Sequence, residues 1–217
     1  MTMPKLVLVP TPLGNLGDMT YRAVETLKSA RIVAAEDVRR TGVLFKHYGI
    51  ATPLVSVHAH NEHRKLPELF DRIEEGVVAW VTDAGTPGVS DPGYLAVQAA
   101  LERNWEIETL PGPTAFVPAL VNSGLPMHRF CFEGFLPVKK GRRKRLEALR
   151  HESRTMIFYE APHRLLRTLR DLCELFGPQR RASVSRELTK IHEQTLRGPL
   201  GELTKFYENG VAKGEFV

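Results

Sequence analysis

Apolar runs alternate with amphipathic segments along this 217-residue chain. A short apolar run predicts a buried strand, and apolar residues spaced i, i+3, i+4, i+7 predict a helix. The predicted strands cover residues 6–9, 32–35, 54–57, 77–81, 107–110, 129–135, 155–159 and 182–185. The predicted helices begin near residues 20 and 94 or cover residues 43–48, 66–76, 113–122, 144–150, 165–176 and 200–207. This alternation predicts an α/β fold with largely parallel sheets.

The segment Ser123-Gly124-Leu125-Pro126 is the best candidate for a domain boundary, because glycine and proline interrupt regular structure there. We therefore predict two α/β domains, residues 1–124 and 125–217, with the helix near residues 113–122 bridging them. Residues 214–217 have the pattern of a strand that is just beginning. We accordingly expect the second domain to be truncated at its last strand or to have a disordered tail.

The most distinctive segment follows the predicted strand 77–81. Residues 81–93 contain three glycines, two prolines and two aspartates, with almost no bulky side chains. Such a loop brings backbone close to a ligand, although an ordinary turn needs some of the same residues. Residues 10–18 and 111–115 form similar Pro/Gly loops after two other strands, and Thr114 is also a natural helix N-cap. Because loops after parallel strands open on one edge of a sheet, we expect the three loops to converge on a ligand.

Several common site motifs are missing from the sequence. It contains no G-x-G-x-x-G, no Walker A lysine pattern and no G-x-S-x-G nucleophile elbow. His58, His60 and His63 cluster, and zinc is conceivable there, but no cysteine or second histidine group completes a closed site. We predict a solvated polar loop or a substrate contact at these histidines, and no metal.

The net charge of +5 and a pI near 9.3 favour an anionic partner without establishing one. The segment 139–145 is nearly all basic and contains no acid, so RNA phosphates are its natural partner, with plain solvated surface as the alternative. Cys131 and Cys173 show no pairing pattern, and neither a signal sequence nor a membrane-spanning run is present. These features indicate a cytoplasmic protein. Residues 158–164 and 185–193 place polar groups after two further strands, which fits either surface charge or a ligand-facing cluster.

Seven segments together resemble one family: residues 8–18, 35–37, 60–62, 82–93, 110–115, 158–164 and 186–193. The chain is similar to the ribosomal RNA small-subunit (cytidine-2′-O)-methyltransferases, which belong to the tetrapyrrole methylase superfamily of S-adenosylmethionine-dependent enzymes. The resemblance implies 2′-O-methylation of a cytidine in 16S ribosomal RNA or the small ribosomal subunit. It also implies a homodimer and two α/β domains with the cofactor cleft between them.

The resemblance also implies roles for individual residues. The residues expected to contact S-adenosylmethionine are Leu13, Asp83, Thr86, Thr114, Ala115, Tyr159, Glu160 and Leu196. Position at the end of a predicted strand, rather than the resemblance, makes Glu160 with His163 the predicted proton acceptor, and Asp37 and Glu187 are its rivals. Positive charge, rather than the resemblance, is the reason to expect RNA contacts by Arg39, Lys139, Lys140, Arg142, Arg143, Arg145, Arg164, Arg186 and Lys190.

Three other functions fit the same cofactor fold. One is a tetrapyrrole methyltransferase acting on a corrinoid precursor, and another is a relative that modifies a protein histidine derivative. The third is an RNA-binding assembly protein without catalysis. The basic segment 139–145 favours RNA over the first two substrates, and turnover on ribosomal RNA would exclude the third.

Overall fold

The computed structural model describes residues 3–210 and 212–217. Contacts divide the chain into two units, the first ending at Thr114 and the second beginning at Ala115. This division lies earlier than the predicted boundary after Gly124. The predicted bridging helix is therefore grouped with the second unit.

The first unit is built around an all-parallel sheet with the strand order β3-β2-β4-β1-β5. Its strands are β1 (Lys5–Leu8), β2 (Ile32–Ala35), β3 (Leu54–Ser56), β4 (Val77–Val81) and β5 (Glu106–Thr109). Its helices are α1 (Tyr21–Ser29), α2 (Val38–Tyr48), α3 (Glu62–Phe70) and α4 (Tyr94–Glu102). The predicted α/β class with a parallel sheet is confirmed.

Side chains of β1 and β4 alternate between two buried clusters, because successive residues of a strand point to opposite faces. Leu6 and Trp80 join one cluster together with side chains of α3 and α4. Val7 and Val81 join the other cluster together with side chains of α1 and α2. Helices thus cover both faces of the sheet, which leaves the ends of its strands for ligands.

Two helices of the first unit have ends that differ from the predicted ones. Helix α2 begins before the predicted residue 43, since the Asp37 carboxylate caps it by accepting from the Arg39 N–H at 2.9 Å. The prediction that Gly76 closes α3 is wrong, because α3 ends at Phe70.

The second unit combines a parallel and an antiparallel strand pair. Its elements are α5 (Phe116–Ser123), β6 (Phe130–Phe135), α6 (Arg142–Leu149), β7 (Thr155–Tyr159), α7 (Pro162–Phe176), β8 (Arg181–Arg186), β9 (Gln194–Pro199) and α8 (Leu200–Glu208). Strands β6 and β7 pair in parallel, whereas β8 and β9 form an antiparallel hairpin. The sequence did not predict β9. Its residues Arg197, Gly198 and Pro199 interrupt the alternation of apolar and polar residues that indicates a strand.

The last residues of the chain pair with both strand groups of the second unit. Phe216 forms antiparallel bridges with Glu160 and with Arg186, in line with the strand-like pattern of residues 214–217. Beside Phe216, between β7 and β8, lies a largely apolar cavity of about 480 Å³.

Gly112 illustrates how closely two loops of the first unit approach each other. A Cβ atom at Gly112 would lie 2.7 Å from Pro10 Cβ and 3.0 Å from Pro10 Cγ, and the proline ring cannot rotate away. We expect Gly112→Ala to lower the free energy of unfolding by roughly 1–3 kcal/mol. Gly42→Ala, inside α2 with no atom within 4 Å of the new Cβ, is the matched control and should raise stability by about 0.5–1 kcal/mol. Urea unfolding followed by circular dichroism measures both, and equal effects would contradict the close-packing argument.

Candidate active site

The loops after β1, β4 and β5 are joined to one another by hydrogen bonds. The Thr11 N–H donates to the Gly85 carbonyl at 3.0 Å, and the Gly85 N–H donates to the Thr11 carbonyl at 2.9 Å. The Thr86 hydroxyl donates to the Pro113 carbonyl at 3.0 Å, and the Thr114 hydroxyl donates to Thr86 Oγ1 at 2.7 Å. The predicted convergence of the three loops is therefore present at one edge of the first unit's sheet.

Positive φ angles keep the β4 loop close to its neighbours. Gly85 has φ 78°, and a Cβ there would lie 3.4 Å from Leu13 Cδ2. A Cβ at Gly93 would lie 2.9 Å from the Gly88 nitrogen. Ser90 has φ 67° although it is not glycine, and such strain is concentrated at binding and catalytic loops. The loop thus presents mostly backbone, as the sequence predicted for a ligand-binding segment.

The predicted cofactor residues of the first unit lie together on these loops. Leu13 packs beside Gly85, and Thr86 and Thr114 are hydrogen-bonded to each other. Asp83 Oδ2 forms an ion pair with Arg40 Nη1 at 2.9 Å. Asp83 Oδ1 is buried and has no hydrogen-bond partner among the described residues. A buried carboxylate oxygen without a partner requires an explanation, and a bound ligand is one.

Glu36 lies next to this loop and was not among the predicted site residues. It follows β2, and its Oε2 accepts from the Asp83 N–H at 3.3 Å. Burial raises the pKa of Glu36 above its ordinary value, partly opposed by that hydrogen bond. The position of Glu36 after a strand that neighbours β4 is the sequence signal that could have identified it.

The predicted cofactor residues of the second unit have different surroundings. The Tyr159 hydroxyl, at the end of β7, accepts from the Phe116 N–H at 3.2 Å. Leu196 lies on β9, opposite Val184, and packs at the edge of that unit's core. Ala115 is the first residue of the second unit. No contact described for these residues contradicts or tests a cofactor role, which stays a prediction.

Glu160 is a buried carboxylate of the second unit with three bonding partners. It is 5% exposed and pairs with Arg164 Nε at 3.1 Å. It also accepts from the Thr168 hydroxyl at 2.5 Å and from the Ala161 N–H at 2.9 Å. These contacts are what a buried structural carboxylate requires. The predicted role of Glu160 as proton acceptor stays a prediction, and so does that of its neighbour His163, which is exposed on α7.

The two rival proton acceptors have lowered pKa values. Hydrogen bonds from the Arg39 side chain and backbone lower the pKa of Asp37 to about 2. Burial raises the pKa of Glu187, but hydrogen bonds from the Glu215 N–H and from Lys190 outweigh burial, so that the pKa lies below its usual value. A carboxylate with a low pKa is a weak proton acceptor at neutral pH. This weakens the case for both residues.

The basic segment 139–145 is mostly exposed, with one exception. Lys139, Lys140, Arg143 and Lys144 extend into solvent, and Arg145 is half-exposed and pairs with Glu133. The remaining basic residue, Arg142, is only 4% exposed.

The predicted RNA contact by Arg142 is therefore corrected. Its guanidinium donates to Asp171 at 2.8 Å, to Thr168 Oγ1 at 2.9 Å and to the Pro137 carbonyl at 3.3 Å. These bonds hold the start of α6 against α7. A run of basic residues on a helix necessarily turns one of them toward the protein, and sequence alone did not identify which.

The other predicted RNA contacts are engaged within the protein. Arg39 pairs with Asp37, and Arg164 with Glu160. Arg186 donates to the Lys213 carbonyl at 2.7 Å, and Lys190 pairs with Glu187 at 3.0 Å and with Glu215 at 2.9 Å. Only Arg39 in this group is largely exposed, at 88% of its side chain. RNA contacts by these four residues stay predictions.

Two further properties of the described residues bear on function. No helix within residues 3–210 and 212–217 is both long and apolar enough to cross a membrane. In the same residues, no three or more histidine, cysteine, aspartate or glutamate side chains are arranged to hold a metal ion.

Comparison with known proteins shows what the chain is similar to. A family model described as tetrapyrrole (corrin/porphyrin) methylases matches residues 5–204. Three proteins named ribosomal RNA small subunit methyltransferase I are similar over nearly the whole chain. The protein of Synechocystis sp. is 51% identical, and the match covers 97% of this chain and 76% of that protein. The protein of Escherichia coli O157:H7 is 46% identical, with 98% of this chain and 76% of that protein covered. The protein of Thermotoga maritima is 43% identical, with 99% of this chain and 97% of that protein covered.

Solved structures show the same fold at low sequence identity. Uroporphyrin-III C-methyltransferase from Thermus thermophilus, in complex with S-adenosylhomocysteine, matches with a TM-score of 0.68 at 20% identity, over 99% of this chain and 95% of that chain. Diphthine synthase matches with a TM-score of 0.75 at 14% identity, over 98% and 88%.

The contacts of Glu160 predict a loss of stability when its charge is removed. Glu160→Gln keeps the shape but leaves Arg164 without its carboxylate partner, and we expect the free energy of unfolding to fall by roughly 1.5–3 kcal/mol. Glu174→Gln, an exposed acid on the same helix as Arg164, should change it by less than about 0.5 kcal/mol. Urea unfolding measures both variants. A Glu160→Gln protein as stable as the parent would show that this network is not structural.

Proposed function

The chain belongs to the tetrapyrrole methylase family, and from that premise we propose that it methylates the 2′-oxygen of a cytidine in 16S ribosomal RNA. The chain is a ribosomal RNA methyltransferase that uses S-adenosylmethionine. The family resemblance, the enzyme class and the cofactor predicted from sequence are thereby confirmed. The nucleotide, the acceptor atom and the individual site residues belong to our proposal.

The observation that supports the cofactor position is the set of joined loops beside the unpartnered Asp83 Oδ1. S-adenosylmethionine carries an ammonium group, an adenine amino group and ribose hydroxyls, all of which can donate to a carboxylate. The glycines of the β4 loop let backbone approach a flat ligand. The residues therefore fit the cofactor. We propose that Asp83 binds a donor group of S-adenosylmethionine and that Leu13, Thr86 and Thr114 line its site.

When bound, S-adenosylmethionine supplies a methyl group on a positively charged sulfur. The protein must then hold an acceptor hydroxyl in line with that methyl group and accept the hydroxyl proton. Rigid loops suit the first task, because oriented reactants gain on the order of 7–11 kcal/mol over free ones. The hydrogen bonds among Thr11, Gly85, Thr86 and Pro113 supply that rigidity. A carboxylate suits the second task.

RNA is the substrate that the surface charge favours. The exposed cations of residues 139–145 form a local excess of positive charge in the second unit, suited to several phosphates. A tetrapyrrole substrate does not require such a segment. The similarity to tetrapyrrole methyltransferase structures lies below 25% identity and concerns the fold.

We also propose that the protein is a homodimer and acts in the cytoplasm, where its ribosomal substrate is made. Apolar side chains exposed on the second unit support dimerisation. Val117 and Val121 lie one turn apart on α5, and Met127, Phe130 and Phe135 lie near or on β6, all at least 40% exposed. Large apolar side chains that are exposed on a single chain are candidates for a subunit interface.

Methylation of small-subunit particles tests the proposed function directly. Incubation with methyl-labelled S-adenosylmethionine, followed by nuclease digestion and nucleoside analysis, should yield labelled 2′-O-methylcytidine.

Asp83→Ala should weaken cofactor binding at least tenfold in isothermal titration, because a charged hydrogen-bond acceptor is removed. Asp71→Ala, an exposed acid elsewhere in the first unit, is the control and should bind normally. Label in a base or in another nucleoside would overturn the proposed acceptor, and normal cofactor binding by Asp83→Ala would overturn the role of Asp83.

The basic segment should contribute RNA affinity by pairing with phosphates. Replacing Lys139, Lys140 and Arg143 by alanine should weaken RNA binding and lower the slope of log affinity against log salt by about one for each phosphate that is no longer neutralised. The control replaces three exposed cations of the first unit, Lys28, Lys46 and Arg72, with the same change in net charge. Cofactor affinity should be unaffected in both proteins. Equal salt slopes in the two triple variants would identify residues 139–145 as ordinary solvated surface.

A further inference from the structure

A second polar cluster lies beside the cofactor loops, at the carboxyl ends of β3, β2 and β4. It contains Glu36 after β2, Arg40 in the first turn of α2, His58 after β3 and Asp83 after β4. These three strands are neighbours in the sheet, so their ends meet at one edge. Asp83 belongs both to this cluster and to the β4 loop. The cluster is therefore the part of the sheet edge next to the proposed cofactor position.

Glu36 differs from the other carboxylates considered as proton acceptors. The guanidinium beside it, that of Arg40, forms its ion pair with Asp83, and no ion pair in the described part of the chain includes Glu36. Burial and the Asp83 charge raise the pKa of Glu36, while the Asp83 N–H, Arg40 and His58 lower it, and the net direction is upward. By contrast, Asp37 and Glu187 have lowered pKa values and Glu160 is enclosed by three partners.

His58 adds an unsatisfied donor to the cluster. The Asn61 side-chain nitrogen, Nδ2, lies 3.0 Å from His58 Nε2. The Asn61 side-chain oxygen, Oδ1, accepts from the backbone N–H of His58 at 2.9 Å. With its oxygen accepting, the Asn61 amide presents an NH₂ group to Nε2, so Nε2 accepts and Nδ1 carries the proton. Nδ1 is buried without a partner among the described residues.

A carboxylate oxygen and an imidazole N–H that have no partners among the described residues suit a polar ligand that both donates and accepts hydrogen bonds. A nucleoside is such a ligand, whereas an apolar molecule would leave these groups unpaired. We propose, resting on the function proposed above, that this cluster holds the acceptor nucleoside and that Glu36 takes the proton of the hydroxyl that is methylated.

The proposed step is balanced in atoms and charge. A bond forms between the acceptor oxygen and the methyl carbon, and the carbon–sulfur bond breaks with its electron pair going to sulfur. The sulfonium becomes a neutral thioether, and the hydroxyl proton moves to the Glu36 carboxylate. Glu36 must be ionised to accept that proton, so the rate should fall as the pH drops through the Glu36 pKa.

Glu36→Gln tests this assignment, since it keeps the shape of the side chain and removes the proton acceptor. With small-subunit particles and saturating labelled S-adenosylmethionine, we expect the single-turnover rate to fall about 10²–10⁴-fold. The wild-type rate should rise with pH through the raised Glu36 pKa and then level off, and Glu36→Gln should lose that dependence. Glu102→Gln, an exposed acid at the end of α4, is the control and should keep the wild-type rate and pH profile.

Three measurements without turnover separate proton transfer from a structural role. Cofactor affinity of Glu36→Gln should stay within about twofold of wild type. Its melting temperature at pH 7 should be unchanged or higher, because a carboxyl whose pKa is raised by folding destabilises the fold when ionised. A carbon-13 NMR titration of the free protein should show one glutamate carboxyl, absent from Glu36→Gln, that titrates above the usual value of about 4.3.

The possible results distinguish this inference from the function on which it rests. A wild-type protein that transfers no methyl group to RNA would refute the proposed function. An active wild type with Glu36→Gln active within about fivefold would refute only the role of Glu36. Loss of cofactor binding or of stability in Glu36→Gln would also refute it, because Glu36 would then act by holding the Asp83 loop.

Discussion

The pair of hydrogen bonds between Thr11 and Gly85 is the interaction on which the site depends. Strand β1 lies between β4 and β5, so the loops that leave these strands must pass one another at the same edge of the sheet. The Thr11–Gly85 bridge fixes the first two loops, and the hydroxyls of Thr86 and Thr114 connect the third. Backbone positions fixed in this way need no reorganisation when a ligand binds, which is the condition for efficient orientation of two reactants.

Carboxylates in this protein follow two patterns that lead to different functions. Glu160 is buried, and a guanidinium, a hydroxyl and an N–H satisfy it, so its charge holds elements of the second unit together. Glu36 and Asp83 lie beside each other, the nearby Arg40 pairs with Asp83, and Asp83 Oδ1 has no hydrogen-bond partner among the described residues. Such an arrangement lowers stability slightly. Proteins generally keep it where a substrate or cofactor completes the bonding.

The sequence predicted most elements because their signals are local. Strands β2, β4 and β7 have the predicted bounds, and α2 and α7 end at Tyr48 and Phe176, where the sequence predicted their ends. The predictions failed where the deciding interaction is distant or the pattern is weak. Helix α3 ends before its apolar pattern does, and Ile73 is buried outside the helix. Strand β9 contains glycine, proline and arginine, and it forms by pairing with β8.

By itself the sequence determined the α/β class and the three Pro/Gly loops, because periodicity and turn residues are properties of the chain alone. Its resemblance to a known family supplied the family and the cofactor. Only the tertiary structure decided which member of the basic segment is buried, since Arg142 meets Asp171 and Thr168 from another helix. Only the structure also distinguished Glu36 from the other acids. The protonation of a carboxyl depends on its burial and on its neighbours, and strand order in the sheet brings Asp83 and His58 to Glu36 across more than twenty residues of chain.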